Sequence, residues 1–104
     1  MIEKTIPVTS IGTGITLIYS VTPGRTAKIK QLIFTNSASA ARTVHIFDSS
    51  SSTTGVNKIS RVIVGANQTF VPNEIINKKV ELGYITAYCD QGTEVTCEGW
   101  IVEE

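Results

Sequence analysis

The sequence predicts an all-β domain: an antiparallel β-sandwich of eight or nine short strands, with a jelly roll as one way to wind it. Three observations predict this. The 104 residues include 10 Val, 14 Ile and 14 Thr but only 3 Leu and 6 Ala. Branching at Cβ restricts a side chain in a helix and packs well on a pleated sheet. Turn chemistry recurs roughly every eight to twelve residues. The length suits a single domain, residues 1–104, which can bury a core without disulfide or metal support.

The elements follow in order. Residues 5–8 read as a short extended segment, and Pro7 marks an edge or a strand end. The stretch 1–8 carries Ile2 and Ile6 at a terminus that would otherwise fray. It is a candidate arm for addition to a neighbour's sheet. Ile11-Gly12-Thr13-Gly14 reads as a connection, and residues 15–21 as a strand with apolar side chains on both faces. In Thr22-Pro23-Gly24-Arg25, Pro presets φ and Gly supplies a positive φ, so a turn is expected. Residues 27–36 form a long strand, with Ile29, Ile33 and Thr35 alternating with Lys30, Leu32 and Phe34. Apolar residues on both faces place it centrally.

A small-residue loop, 37–41, leads to a strand over 42–48. There Val44 and Ile46 share one face, and His45 and Phe47 the other. The Ser/Thr run 49–55 is the most flexible-looking stretch. Residues 58–64 form the next strand, Gly65-Ala66-Asn67 turns the chain, and 68–71 is a short strand ending at Pro72. Residues 73–77 are expected to make one helical turn, and 78–82 lead into Gly83. Residues 84–89 and 95–102 are expected to pair as a hairpin around 90–93. The register would bring Ile85, Ala87 and Cys89 to the same face as Val95, Cys97 and Ile101. Gly99 reads as a bulge or a point of close backbone approach.

Function is less legible. Nine basic and nine acidic residues cancel, which argues against nucleic acid held by bulk charge. The halves differ, however: residues 1–61 carry 7 Lys/Arg and 2 Asp/Glu, and residues 62–104 carry 2 and 7. Opposite patches on one chain favour head-to-tail contact between copies. No apolar run is long enough for a membrane helix, so no membrane partner is expected. The start lacks a secretion signal, so synthesis in a cytoplasm is expected.

Catalytic sets are not evident. His45 is the single His, with no Ser or Cys partner in a nucleophile pattern. Glu94 and Glu98 could pair as acid and base, but solvated strand charges explain them more simply. The 49–55 run lacks the Gly-Lys-Ser/Thr ending of a phosphate loop. Cys89 and Cys97 fit no common metal or redox spacing, so no cofactor is expected. They are either buried thiols or, if opposite in the hairpin, a cross-strand disulfide. Tyr84, Tyr88 and Trp100 fall on the non-core face of the hairpin, where aromatics favour interfaces. With Ile2 and Ile6 they are the candidate interface residues.

The stretch 15–36, ITLIYSVTPGRTAKIKQLIFTN, resembles small virion proteins of tailed phages. In those, a strand ends in Thr-Pro-Gly, a second strand runs to an Asn, and a Ser/Ala-rich loop follows. Val71-Pro72-Asn73-Glu74, the run 82–88 and Gly92-Thr93-Glu94-Val95-Thr96 are similar to the remaining segments. The likeness spans roughly residues 5–102 and departs at Tyr84, where such proteins often carry Asp. It implies a non-enzymatic β-sandwich of a virus particle, most simply a capsid decoration (cement) protein. Such a protein would form a homo-oligomer, with a trimer favoured, and bind the capsid lattice. The alternative it implies is a tail, neck, baseplate or fibre component contacting host surface glycans.

Overall fold

The computed structural model describes residues 1–52 and 57–104. It contains nine strands: β1 (Ile2–Ile11), β2 (Thr16–Ser20), β3 (Ala27–Asn36), β4 (Arg42–Asp48), β5 (Lys58–Val64), β6 (Thr69–Phe70), β7 (Lys79–Val80), β8 (Tyr84–Cys89) and β9 (Val95–Glu103). A front sheet has the order β1-β9-β3-β6, with β7 pairing the other end of β3. A back sheet has the order β2-β8-β4-β5. Every pairing is antiparallel. The expected all-β sandwich is therefore present, and the strands over 27–36, 42–48 and 58–64 fall where the pattern placed them.

The pairing is nested. β4 pairs β5, β3 pairs β6 and β7, β2 pairs β8, and β1 pairs β9. The chain is thus one long two-stranded ribbon, doubled back between β4 and β5 and wound so that successive ribbon segments alternate between sheets. That winding is a jelly roll. Inward residues of the front sheet, among them Ile6, Ile29, Leu32, Phe34 and Ile101, meet Val44, Ile46, Val62 and Ile85 of the back sheet in one core.

Winding a ribbon requires local bends, and β-bulges supply them. Register shifts occur between Ile6 and Thr9, between Leu17 and Tyr19, between Ile29 and Gln31, and between the partners of Ile46 and Phe47. Each one reverses which face the later side chains take. Ile6 and Ile11 are both buried yet five residues apart, so no single alternation contains both. The first strand consequently runs from Ile2 to Ile11, longer than the 5–8 segment expected, and absorbs Ile11 from the expected connection. In β3 the shift at Lys30 turns Ile33 outward and brings Leu32, Phe34 and Asn36 in, so the single alternation read over 27–36 breaks there.

The expected last hairpin is absent. β8 lies in the back sheet between β2 and β4, and β9 lies in the front sheet between β1 and β3. Their apolar sets do face each other, but across the sandwich rather than along one sheet. Nested winding explains this, because it gives each late strand an early partner. Thr22 to Arg25 turn as expected, closed by Arg25 N–H donating to Thr22 O at 3.0 Å with Gly24 at φ +84°. Residues 73–78 make two overlapping four-residue turns instead of a helical turn, and these drop Ile75 into the core. Residues 53–55 of the Ser/Thr run lie outside the described residues.

Candidate interaction surfaces

The structure separates the five candidate interface residues. Ile6 is a core residue, 1% exposed, so it is unavailable to a partner in this fold. The arm 1–8 is paired within its own chain against β9, and Ile2, opposite Glu103, is 38% exposed at the sheet edge. Pro7 and the adjacent bulge blunt that edge against further strand addition. Trp100 lies on the outer face of the front sheet. Tyr84 and Tyr88 lie on the outer face of the back sheet. The three aromatics read as one face thus occupy opposite sides of the molecule.

On the front face Trp100 sits on central β9, with Thr5 of β1 and Gln31 of β3 as its lateral partners, and is 37% exposed. The position depends on Gly99. A Cβ there would lie 1.9 Å from the Gln31 carbonyl oxygen, so only glycine lets the β3 bulge close onto β9. The close approach expected at Gly99 is present.

On the back face Tyr88 stacks against His45, with ring centroids 4.6 Å apart and planes at 15°, and against Phe47 at 5.9 Å. The Lys58 ammonium donates to His45 Nδ1 at 3.0 Å and stands 5.8 Å from the Phe47 centroid. Burial first, then the charges of Lys58 and Arg61, lower the His45 pKa against the opposing pull of Asp90. Because an ammonium can only donate, Nδ1 is the acceptor of this pair. This face is partly roofed: Thr86 Oγ1 donates to Ser50 O at 2.7 Å, and both Thr86 and Phe47 are buried although they point away from the core.

Two polar residues that the sequence reading passed over tie the fold together. Asn36 is buried with its amide satisfied: Nδ2 donates to the carbonyls of Ala40, Val64 and Gly65, and Oδ1 accepts from Ala38 N–H. Glu103 is 0% exposed and faces inward from β9. Its Oε2 accepts from the Tyr19 hydroxyl at 2.6 Å and from Thr22 N–H at 3.0 Å, linking the front sheet to the back. Burial alone would raise the Glu103 carboxyl. The bonds from Tyr19 and Thr22 and the charge of Lys4 outweigh it and hold the group at about 2. Burial, reinforced by that carboxylate, pushes Tyr19 up to about 12. A signal for Glu103 was present: it continues the inward series Val95, Cys97, Gly99 and Ile101. Tyr19 needed the bulge at Ile18 to turn inward.

Cys89 and Cys97 are both buried free thiols. They lie in different sheets, Cys89 opposite Val44 and Cys97 opposite Phe34, so a cross-strand disulfide is excluded. Burial, aided by the Glu98 charge, pushes Cys97 up to about 12, and burial also raises Cys89. Glu94 and Glu98 do not form a carboxylate pair. Glu94 precedes β9 and holds Arg42 at 3.2 Å, while Glu98 is exposed on the front face. Thr93 N–H first, then Arg42, keeps the Glu94 carboxyl below its usual range. The charge split between the halves does not become a split in space, because strands of both halves alternate within each sheet. Among the described residues no cavity opens and no group of three His, Cys, Asp or Glu converges.

Comparison with protein-family models, with curated proteins and with solved structures finds no match.

Proposed function

We propose that this chain is a non-enzymatic structural protein of a virus particle, of the capsid decoration type, which docks on the shell through its front face. The observation that carries the reading is Trp100. A Trp more than a third exposed at the centre of an open sheet face, on the strand between β1 and β3, is the kind of anchor that a partner covers. The jelly-roll winding supports it by analogy of fold, since viral capsid and lectin domains use that winding. The phage-like pattern over 15–36 adds to this. Each docking contact is small, and a homo-oligomer, with a trimer favoured, engages several lattice points so that avidity supplies the stability.

Cosedimentation with expanded shells of the virus that encodes the chain tests the reading. Saturable pelleting at micromolar concentration is expected, and no pelleting would sink it. The alternative, a tail or fibre component binding host glycans, draws on the same fold analogy and on Tyr88 near Asp90. Stacking against His45 and Phe47 already engages the Tyr88 ring, which leaves less of it for a sugar. Reproducible binding on a glycan array that disappears in Tyr88→Ala would establish this alternative in place of cement.

A further inference from the structure

We infer that the edge of the front sheet where β7 meets β3 is a docking site for an acidic protein segment. Lys28 on β3 and Lys79 on β7 lie directly opposite each other in the antiparallel register. Like charges in that position cost stability. Lys78 is carried beside them, because its carbonyl accepts from Ile29 N–H at 2.9 Å. Lys30 reaches the same edge, with Nζ donating to Asn77 Oδ1 at 2.7 Å. Arg25 is exposed on the turn that enters β3.

Five of the nine cations of the chain therefore gather at one edge, drawn from both halves of the sequence. None has a carboxylate within ion-pair distance, since Arg42–Glu94 is the one ion pair among the described residues. Glu81 follows Lys79 by two residues, and Glu104 is bonded backbone to backbone with Thr26 beside Arg25, but neither carboxylate forms an ion pair with the edge. Opposed cations left without counter-charge leave a potential that an external anion relieves. Carboxylates fit better than a phosphate backbone. On the same sheet face, Glu3 and Glu98 would repel a long polyanion running past Trp100. In an extended acidic peptide, alternate side chains are about 6.6 Å apart, the same rise that separates residues i and i+2 along a strand such as β3.

The inference goes beyond shell docking and is tested without a shell, so the two can fail separately. Fluorescence anisotropy of a labelled oligo-glutamate peptide against the full chain measures it. Saturable binding in low salt is expected, about tenfold weaker in the Lys28→Glu/Lys79→Glu variant and weaker again when salt rises from about 50 to about 500 mM. The single variant Lys79→Glu should bind more weakly while melting higher than wild type, because it replaces a repulsive pair with an attractive one. That separates lost binding from lost fold. Absence of binding in low salt, equal binding by the double variant, or tighter binding of a single-stranded DNA oligonucleotide of matched charge would overturn the inference.

Discussion

The two outer faces of the sandwich are built from the same ribbon but finished differently. The back face carries more aromatic surface, yet its rings stack on one another, and Ser50 lies across Thr86. The front face carries a single Trp, flanked by Thr5 and Gln31 and 37% exposed, although Val102 two residues along is covered. The lesson is that aromatic count does not locate a binding surface. The back-face aromatics stack on one another, whereas Trp100 stays more than a third exposed.

The largest effect is expected where the front face is built. Gly99→Ala would place a methyl group against the Gln31 carbonyl, and β9 and β3 must separate to admit it. A loss of about 3 kcal/mol in chemical denaturation is expected. An unchanged midpoint would mean that the close approach is not required.

Next comes the tie between the sheets. Glu103→Ala strands the Tyr19 hydroxyl and should cost about 2 kcal/mol. The pH profile is more diagnostic. Glu103 lies at about 2 in the fold against an ordinary 4.5, so its contribution is complete above pH 4.5 and is lost as pH falls from there. Tyr19 lies at about 12 against 10.0, so its contribution is complete below pH 10 and is lost as pH rises beyond it. Tyr19→Phe should abolish the alkaline loss and shrink the acid one. Persistence of the alkaline loss in that variant would place its origin elsewhere.

The roof over the back face is a smaller matter. Thr86→Val leaves the Ser50 carbonyl without its donor and should cost about 1 kcal/mol. Faster amide exchange should appear at Ser49, whose N–H donates to Tyr84 O, and at Tyr84, whose N–H donates to Ser49 Oγ. The smallest effect concerns the thiols between the sheets. Both are buried and held protonated, so neither should react with a thiol reagent until the protein unfolds. Rapid labelling of Cys97 in the native state would contradict its place in the core.

Much of the fold was legible, because most strands carry a period of two between strong turn residues. The count of eight or nine strands, the turn at Pro23-Gly24 and the special role of Gly99 all follow from local chemistry. What was hidden is non-local. Pairing of β8 with β2 and of β9 with β1 depends on the ribbon closing on itself, and no local pattern encodes that. The bulges near Pro7, Ile18 and Lys30 hid the true faces of Ile11, Tyr19 and Ile33, since one extra residue inverts every later assignment. The candidate surface was legible as residue types and illegible as a surface: an assumed hairpin put Tyr88 and Trp100 together, and the sandwich puts them apart. The basic edge was hidden by the cancelling totals, because its members come from residues 25–30 and 78–79.

The central claim is that partners dock on the front face and not the back. Cosedimentation with the virus shells of wild type, Trp100→Ala and Tyr88→Ala, each confirmed as folded, tests it most directly. The account predicts that Tyr88→Ala pellets like wild type while Trp100→Ala stays in the supernatant. Binding that survives in Trp100→Ala, or that is lost in Tyr88→Ala, would contradict it.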